Sequence, residues 1–270
     1  MQNKPAKKSS RGKVQPVKKP YLKGNAFSPL ALRRGLGVFV YIAVSALLFL
    51  FMGQLMVLDV AWLRVAINIA VVVGFASLMY SSGVNRGEND VSFAEIALTR
   101  QQEGKPVSKD DLNKCFHPAK GYVTMFFGAL PFVLLCLIHA LAATRETYSL
   151  GALPAWLSAY QNRLDISLAL HYYNDVKAFG LADGVRIITR LLVFPFVNIA
   201  GQGNPDGILL VERLSPLLVL LAPFFYGVGY QRGEAFRALV HGGIASNAKS
   251  TARRQKKKAA ARRNEPKQLV

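Results

Sequence analysis

Apolar residues in this chain are gathered into long uncharged runs, and the charges fall between them. Gly35–Leu58 is 24 residues without a charge, Val65–Gly83 is 19, Gly121–Thr144 is 24 and Leu214–Gln231 is 18. A hydrocarbon layer about 30 Å thick is crossed by about 20 residues rising 1.5 Å each. In lipid the backbone must satisfy its own hydrogen bonds, so each run is expected as a helix. Buried helices of a soluble protein normally show a polar stripe, and these runs show none. The pattern predicts an all-α integral membrane protein with four spans, near residues 35–57, 62–83, 121–143 and 211–230.

The segments between the runs set the organisation. Residues 1–32 are rich in Lys, Pro and Ser, with little to bury, and read as a disordered basic tail. Residues 33–83 read as a first transmembrane hairpin. Its tight turn carries Asp59, Trp62 and Arg64 as interface anchors and makes the two spans antiparallel neighbours. Residues 84–120 read as a polar loop with two short helices. One is amphipathic and stops near Gly104; the next is opened by Ser108 and Asp111 as a capping box and ends before His117–Pro118. Residues 121–230 hold spans three and four and, between them, a long external segment, 144–210. There Arg186 and Arg190 share one face of a helical pattern, with Ile187, Ile188, Leu191 and Leu192 mostly on the other. The uncharged stretch Leu191–Pro205 is only 15 residues and is broken by Pro195, Gly201 and Gly203. It reads as an amphipathic surface helix leading into a short or re-entrant segment rather than a fifth span. In residues 231–270 the helix of span four continues to about Leu239, "HGGIASN" breaks it, and a basic tail follows.

Charge then orients the chain. The net charge is +19; residues 1–34 hold ten Lys/Arg and no acid, and residues 232–270 hold eleven with two acids. The stretch between is neutral. The positive-inside rule places both termini in the cytoplasm, and four spans return the chain to its starting side. The first run, behind its basic segment, reads as a retained signal anchor. The expected location is the cytoplasmic membrane, as a multi-pass protein.

A short phrase occurs twice. "YSSGVNRGE" fills residues 80–88 and "YGVGYQRGE" fills 226–234, with five of nine positions shared. Gly83, Arg86, Gly87 and Glu88 correspond to Gly229, Arg232, Gly233 and Glu234, 146 residues on. Both copies close a span that runs outside to inside. This predicts two like-oriented hairpins and a parallel internal repeat about an axis along the membrane normal. Arg86 would then pair with Glu234 and Arg232 with Glu88, because residues two apart on one helix do not face each other.

Candidate chemistry is sparse. There is no zinc-type His-Glu pairing on a helix, no phosphate loop and no dinucleotide fingerprint. There is no nucleophile elbow either. Cys115 and Cys136 form no disulfide framework or metal-site spacing. Catalytic residues, metal ligands and cofactors are therefore not expected. Asn68 and His139 are the polar groups within spans, and no span is expected to carry a buried carboxylate. The sharpest feature is "RRQKKKAAARR", with Arg253, Arg254, Lys256, Lys257, Lys258, Arg262 and Arg263 in eleven residues. Such a run attracts anionic lipid or RNA phosphates, such as those of a ribosome, through charge and without base recognition, so no specific DNA partner is expected. The leading expectation is a non-enzymatic membrane scaffold or accessory subunit within a membrane complex, whose tails engage acidic partners. The alternative is a permease-like transporter subunit that docks a cytoplasmic ATPase through loop 84–120.

Overall fold

The computed structural model describes residues 15–56, 58, 60–145, 160, 163, 165–166, 180–201 and 203–263. The far N-terminal and C-terminal ends, Asp59, Trp156 and most of the 146–179 stretch lie outside the described residues. Seven helices, and no strand, occur among the described residues: α1 (Pro29–Met56), α2 (Ala61–Gln102), α3 (Lys109–Lys114), α4 (Lys120–Ala142), α5 (Leu181–Leu192), α6 (Phe194–Ala200) and α7 (Pro205–Arg263). Four of them, α1, α2, α4 and α7, are long and apolar enough to cross a membrane.

Local sequence explains the ends. Ser28 accepts from the Ala31 amide at 3.2 Å, and Pro29 fills the first helical position, where no backbone donor is needed. Ser108 and Asp111 form the expected reciprocal capping box at the start of α3. Gly104, at φ +78°, turns the chain out of α2.

Pairing among the long helices follows small residues. Gly83 of α2 lies against the Tyr226 carbonyl of α7, and Gly229 of α7 lies against the Tyr80 carbonyl of α2. Gly87 and Gly233 meet backbone to backbone a turn further on. Sequence numbers rise together along this contact, so α2 and α7 run parallel. Gly35 of α1 packs on Gly128 of α4, and Phe39 stacks on Phe132 at 4.7 Å, so these two also run parallel. Small residues allow such approach where lipid supplies no hydrophobic drive for helix association.

Helices α1 and α2 are antiparallel, as Phe49–Phe75 (5.3 Å) and the Asn68 bond to the Met56 carbonyl show. They are not a closely packed hairpin, however: their main partners are α4 and α7. Phe194 of α6 fills the space beside Gly53 and Phe49.

Three further expectations are corrected. First, residues 84–102 are not loop, because α2 continues unbroken through Gly83, Gly87, Asp90, Ala94 and Ala97, whose 3–4 spacing keeps one small-residue face on α7 and the N-terminal segment. Second, residues 15–28 of the N-terminal tail are an ordered strap. Val17, Leu22 and Gly24 donate to the Ala238, Ala94 and Phe116 carbonyls, and Tyr21 packs edge-on against Phe116. Third, α7 does not break at "HGGIASN". His241 is held by Glu95 at 2.8 Å, and the Ala-, Lys-, Arg- and Gln-rich sequence beyond it favours helix.

Gly229→Val should destabilise the detergent-solubilised protein by about 3 kcal/mol, read as a sharply lower thermal midpoint, because its Cβ has only rigid backbone to push against. Gly74→Ala, with open space beside it, should leave the midpoint unchanged or slightly raised.

Candidate functional site

Two buried carboxylates, one near each end of the bundle, gather most of its internal polar groups. This corrects the expectation that no span carries one. Asp90 is 2% exposed and Glu212 is fully buried.

Asp90 sits at the basic end, on the α2 face that continues Gly83 and Gly87. Arg34 of α1 grips it with two bonds of 2.7 and 2.8 Å. Lys120, the first residue of α4, donates to it at 2.9 Å. The Tyr230 hydroxyl of α7 donates at 2.6 Å. One carboxylate thus receives four hydrogen bonds, three on Oδ2 and one on Oδ1. The other two ammonium donors of Lys120 go to the Asn113 and Cys115 carbonyls at 2.8 and 3.1 Å. Nothing at this joint is left unsatisfied, which a buried charge requires. Phe116 stacks on the Tyr230 ring at 5.2 Å and closes the side away from α2. Burial pushes the Cys115 thiol up from its usual range against the opposing pull of Lys120, so it is not an activated nucleophile.

Glu212 sits at the opposite end. Arg186 of α5 bonds it at 2.7 and 2.8 Å and Arg190 at 2.6 Å, while Arg186 also reaches the Thr144 carbonyl at 2.9 Å. His139 of α4 stands 3.7 Å away. The Thr189 and Ser215 hydroxyls lie fully buried beside the Cys136 thiol. This corrects the reading of residues 181–192 as a surface helix. The Arg186–Thr189 face of α5 turns into the bundle, and its apolar face, with Leu181 and Ile188, turns outward. A helix among lipid-facing helices presents its polar side inward because only there can it find partners. Val193, at the elbow between α5 and α6, is fully buried in the core with Ile42, Met79 and Val219.

The remaining candidates divide clearly. Asn68 is a joint, bonding the Met56 and Arg64 carbonyls and receiving Asn198 at 3.4 Å. The glycines of the repeated phrase form the α2–α7 contact. Its charged residues do not pair as expected: Glu88 lies 3.6 Å from Arg237, and Glu234 binds Lys18 and Tyr21. Arg86 and Arg232 are exposed and make no ion pair among the described residues. The reason is that the close glycine contact brings the helix backbones together and turns the arginines outward. Lys249, Arg253, Arg254, Lys256 and Lys257 stand exposed on helical α7. Lys258, Arg262 and Arg263 continue that helix, with side chains outside the described set. Among the described residues no three His, Cys, Asp or Glu side chains gather to hold a metal ion.

Asp90, Lys120, Arg34 and Glu212 were missed by sequence reasoning. Two signals pointed to them. The Gly83–Gly87–Asp90–Ala94 spacing continues a helix face, and Arg186 with Arg190, four apart in an apolar context, demands a buried acid. The chain matches no family model, no curated protein and no solved structure.

Glu212→Ala should cost about 3–5 kcal/mol in thermal or denaturant unfolding, since it takes the shared carboxylate from two buried guanidinium groups. Asn68→Ala, which removes neutral hydrogen bonds only, should cost about 1–2 kcal/mol in the same assay.

Proposed function

We propose that this chain is a multi-pass scaffold of the cytoplasmic membrane, with both termini inside, that holds out a stiff basic arm to RNA phosphates, as on a ribosome near the membrane. The observation that carries this reading is the far end of α7. Beyond buried Gly242 the helix continues to Arg263, a projection of about 30 Å at 1.5 Å per residue. Its exposed side chains include Lys249, Arg253, Arg254, Lys256 and Lys257, with no acid and no large apolar residue from Asn247 to Arg263. A helix that lies on a bilayer needs an apolar stripe to insert, and this one has none. With Lys258, Arg262 and Arg263 the basic helix positions fall on all sides of the axis at about 3.6 residues per turn, which suits a polyanion that can surround it better than a flat headgroup layer.

Topology enters the same reading. The excess of Lys/Arg at both ends supports a cytoplasmic position for them by the positive-inside rule. The contacts of Gly83 on Tyr226 and of Gly229 on Tyr80 exchange under an offset of 146 residues, and Glu95 meets His241 at that same offset. In α1 and α4, Gly35 meets Gly128 and Phe39 meets Phe132, a common offset of 93. The larger offset of the α2–α7 pair matches the extra chain that carries α5 and α6. These observations support two like-oriented helix pairs related by a pseudo-two-fold along the membrane normal, with the α5–α6 elbow inserted into the second. The alternative is a transporter subunit that docks a cytoplasmic ATPase through residues 84–120. In that segment residues 84–102 are helix, with one face on α7 and the N-terminal strap and the other, including Asn85, Asn89 and Ile96, exposed.

The test is co-purification. The intact protein, extracted gently at low salt, should carry RNA that a chain lacking residues 245–270 does not. Replacing Arg253, Arg254, Lys256 and Lys257 with Gln should flatten the log–log salt dependence of RNA binding by about 3. Equal RNA on the intact and shortened chains would contradict the reading.

A further inference from the structure

We propose that a cavity at the basic end, bounded by α1, α2 and α7, holds the phosphate headgroup of an anionic phospholipid. The cavity has a volume of about 380 Å³ and is walled by Arg33 and Arg34 of α1, Arg86 and Ser82 of α2, and Tyr226 of α7. That volume lies within the range of small-ligand sites, about 300–1,000 Å³.

Charge is the first argument. Three arginines line one space. The acid that balances them is Asp90, and it is shared: Arg34 and Lys120 both bind it. Four cations, counting Lys120, therefore face one carboxylate. Arg33 and Arg86 are exposed and make no ion pair among the described residues. Like charges around one cavity repel, and an anion seated among them relieves the repulsion. Guanidinium groups suit phosphate oxygens, which they bind with paired hydrogen bonds.

Shape decides the source of the phosphate. The cavity runs along α1 from Arg33 past Gly37 and Val38 to Tyr41. Eight residues of helix make this descent about 12 Å deep. Beside it, Leu36 is 66% exposed and Val40 is 50% exposed on the outer face of α1, where a bilayer would lie. A charged site beside an exposed apolar helix face fits a molecule with a charged head and a hydrocarbon tail better than it fits free phosphate. Basic pockets among spanning helices recognise anionic headgroups by this arrangement. The inference is independent of the RNA reading, since none of these residues belongs to the arm.

Native mass spectrometry of the full chain tests it, with phosphatidylglycerol and phosphatidylcholine titrated separately and inorganic phosphate added in excess. The wild type should retain one phosphatidylglycerol in preference to phosphatidylcholine, and phosphate should not displace it. Arg33→Gln with Arg86→Gln should weaken that binding at least about tenfold, the equivalent of losing one charge-assisted hydrogen bond. Lys256→Gln with Lys257→Gln should leave it intact. Both arginines are exposed, so the double variant should melt with the wild type, and this is checked alongside. Equal binding of the two lipids to the wild type, or unchanged phosphatidylglycerol binding by the double arginine variant, would overturn the proposal. Displacement by phosphate would overturn the lipid source and assign the cavity to free phosphate.

Discussion

Asp90 joins all four long helices. It lies on α2 and is bonded by Arg34 from α1, Lys120 from α4 and Tyr230 from α7. A carboxylate buried this deeply is stable only when it is paired and hydrogen-bonded, so these bonds hold the four helices in place relative to one another. Lys120 carries the constraint outward to the Asn113 and Cys115 carbonyls and thus to the loop around α3. The N-terminal strap then closes over the same region through Tyr21, Leu22 and Gly24.

Glycine contact and the charge joint need each other. Tyr230 reaches Asp90 because α2 and α7 approach backbone to backbone at Gly83, Gly87 and Gly233. Gly121 keeps α4 close by leaving room for the Tyr230 ring. At the other end Glu212 does for α5 what Asp90 does for the long helices, drawing two arginines inward and seating the Val193 elbow in the core. A bundle locked at both ends leaves its unpaired positive charge at the margins, on the α7 arm and around the cavity beside Arg33 and Arg86. Partners are to be sought there.

The four spans and the capping box at Ser108 were legible because each rests on local chemistry: run length, absence of charge, and a side chain within three residues. The glycines of the repeated phrase were legible as a contact, since small residues four apart announce close approach. What could not be read was partner choice across the fold. Asp90 looked like loop because charge normally marks the end of a span, yet its distant partners Arg34, Lys120 and Tyr230 make burial tolerable. The polar face of α5 was expected to face outward, as on a surface helix; the direction depended on Glu212, in a different helix. The arginines of the repeated phrase looked like a pair for the opposite glutamates, but backbone contact at the glycines turned them away.

The most direct measurement is a double-mutant cycle on the joint, reading the unfolding free energy of Asp90→Ala, Lys120→Met and the two together. The single Asp90→Ala change should cost about 3–5 kcal/mol by stranding buried cations, and the double variant should recover a large part of it. If Asp90→Ala unfolds with the wild type, or if the two losses simply add, the four helices do not depend on this carboxylate and the account fails at its centre.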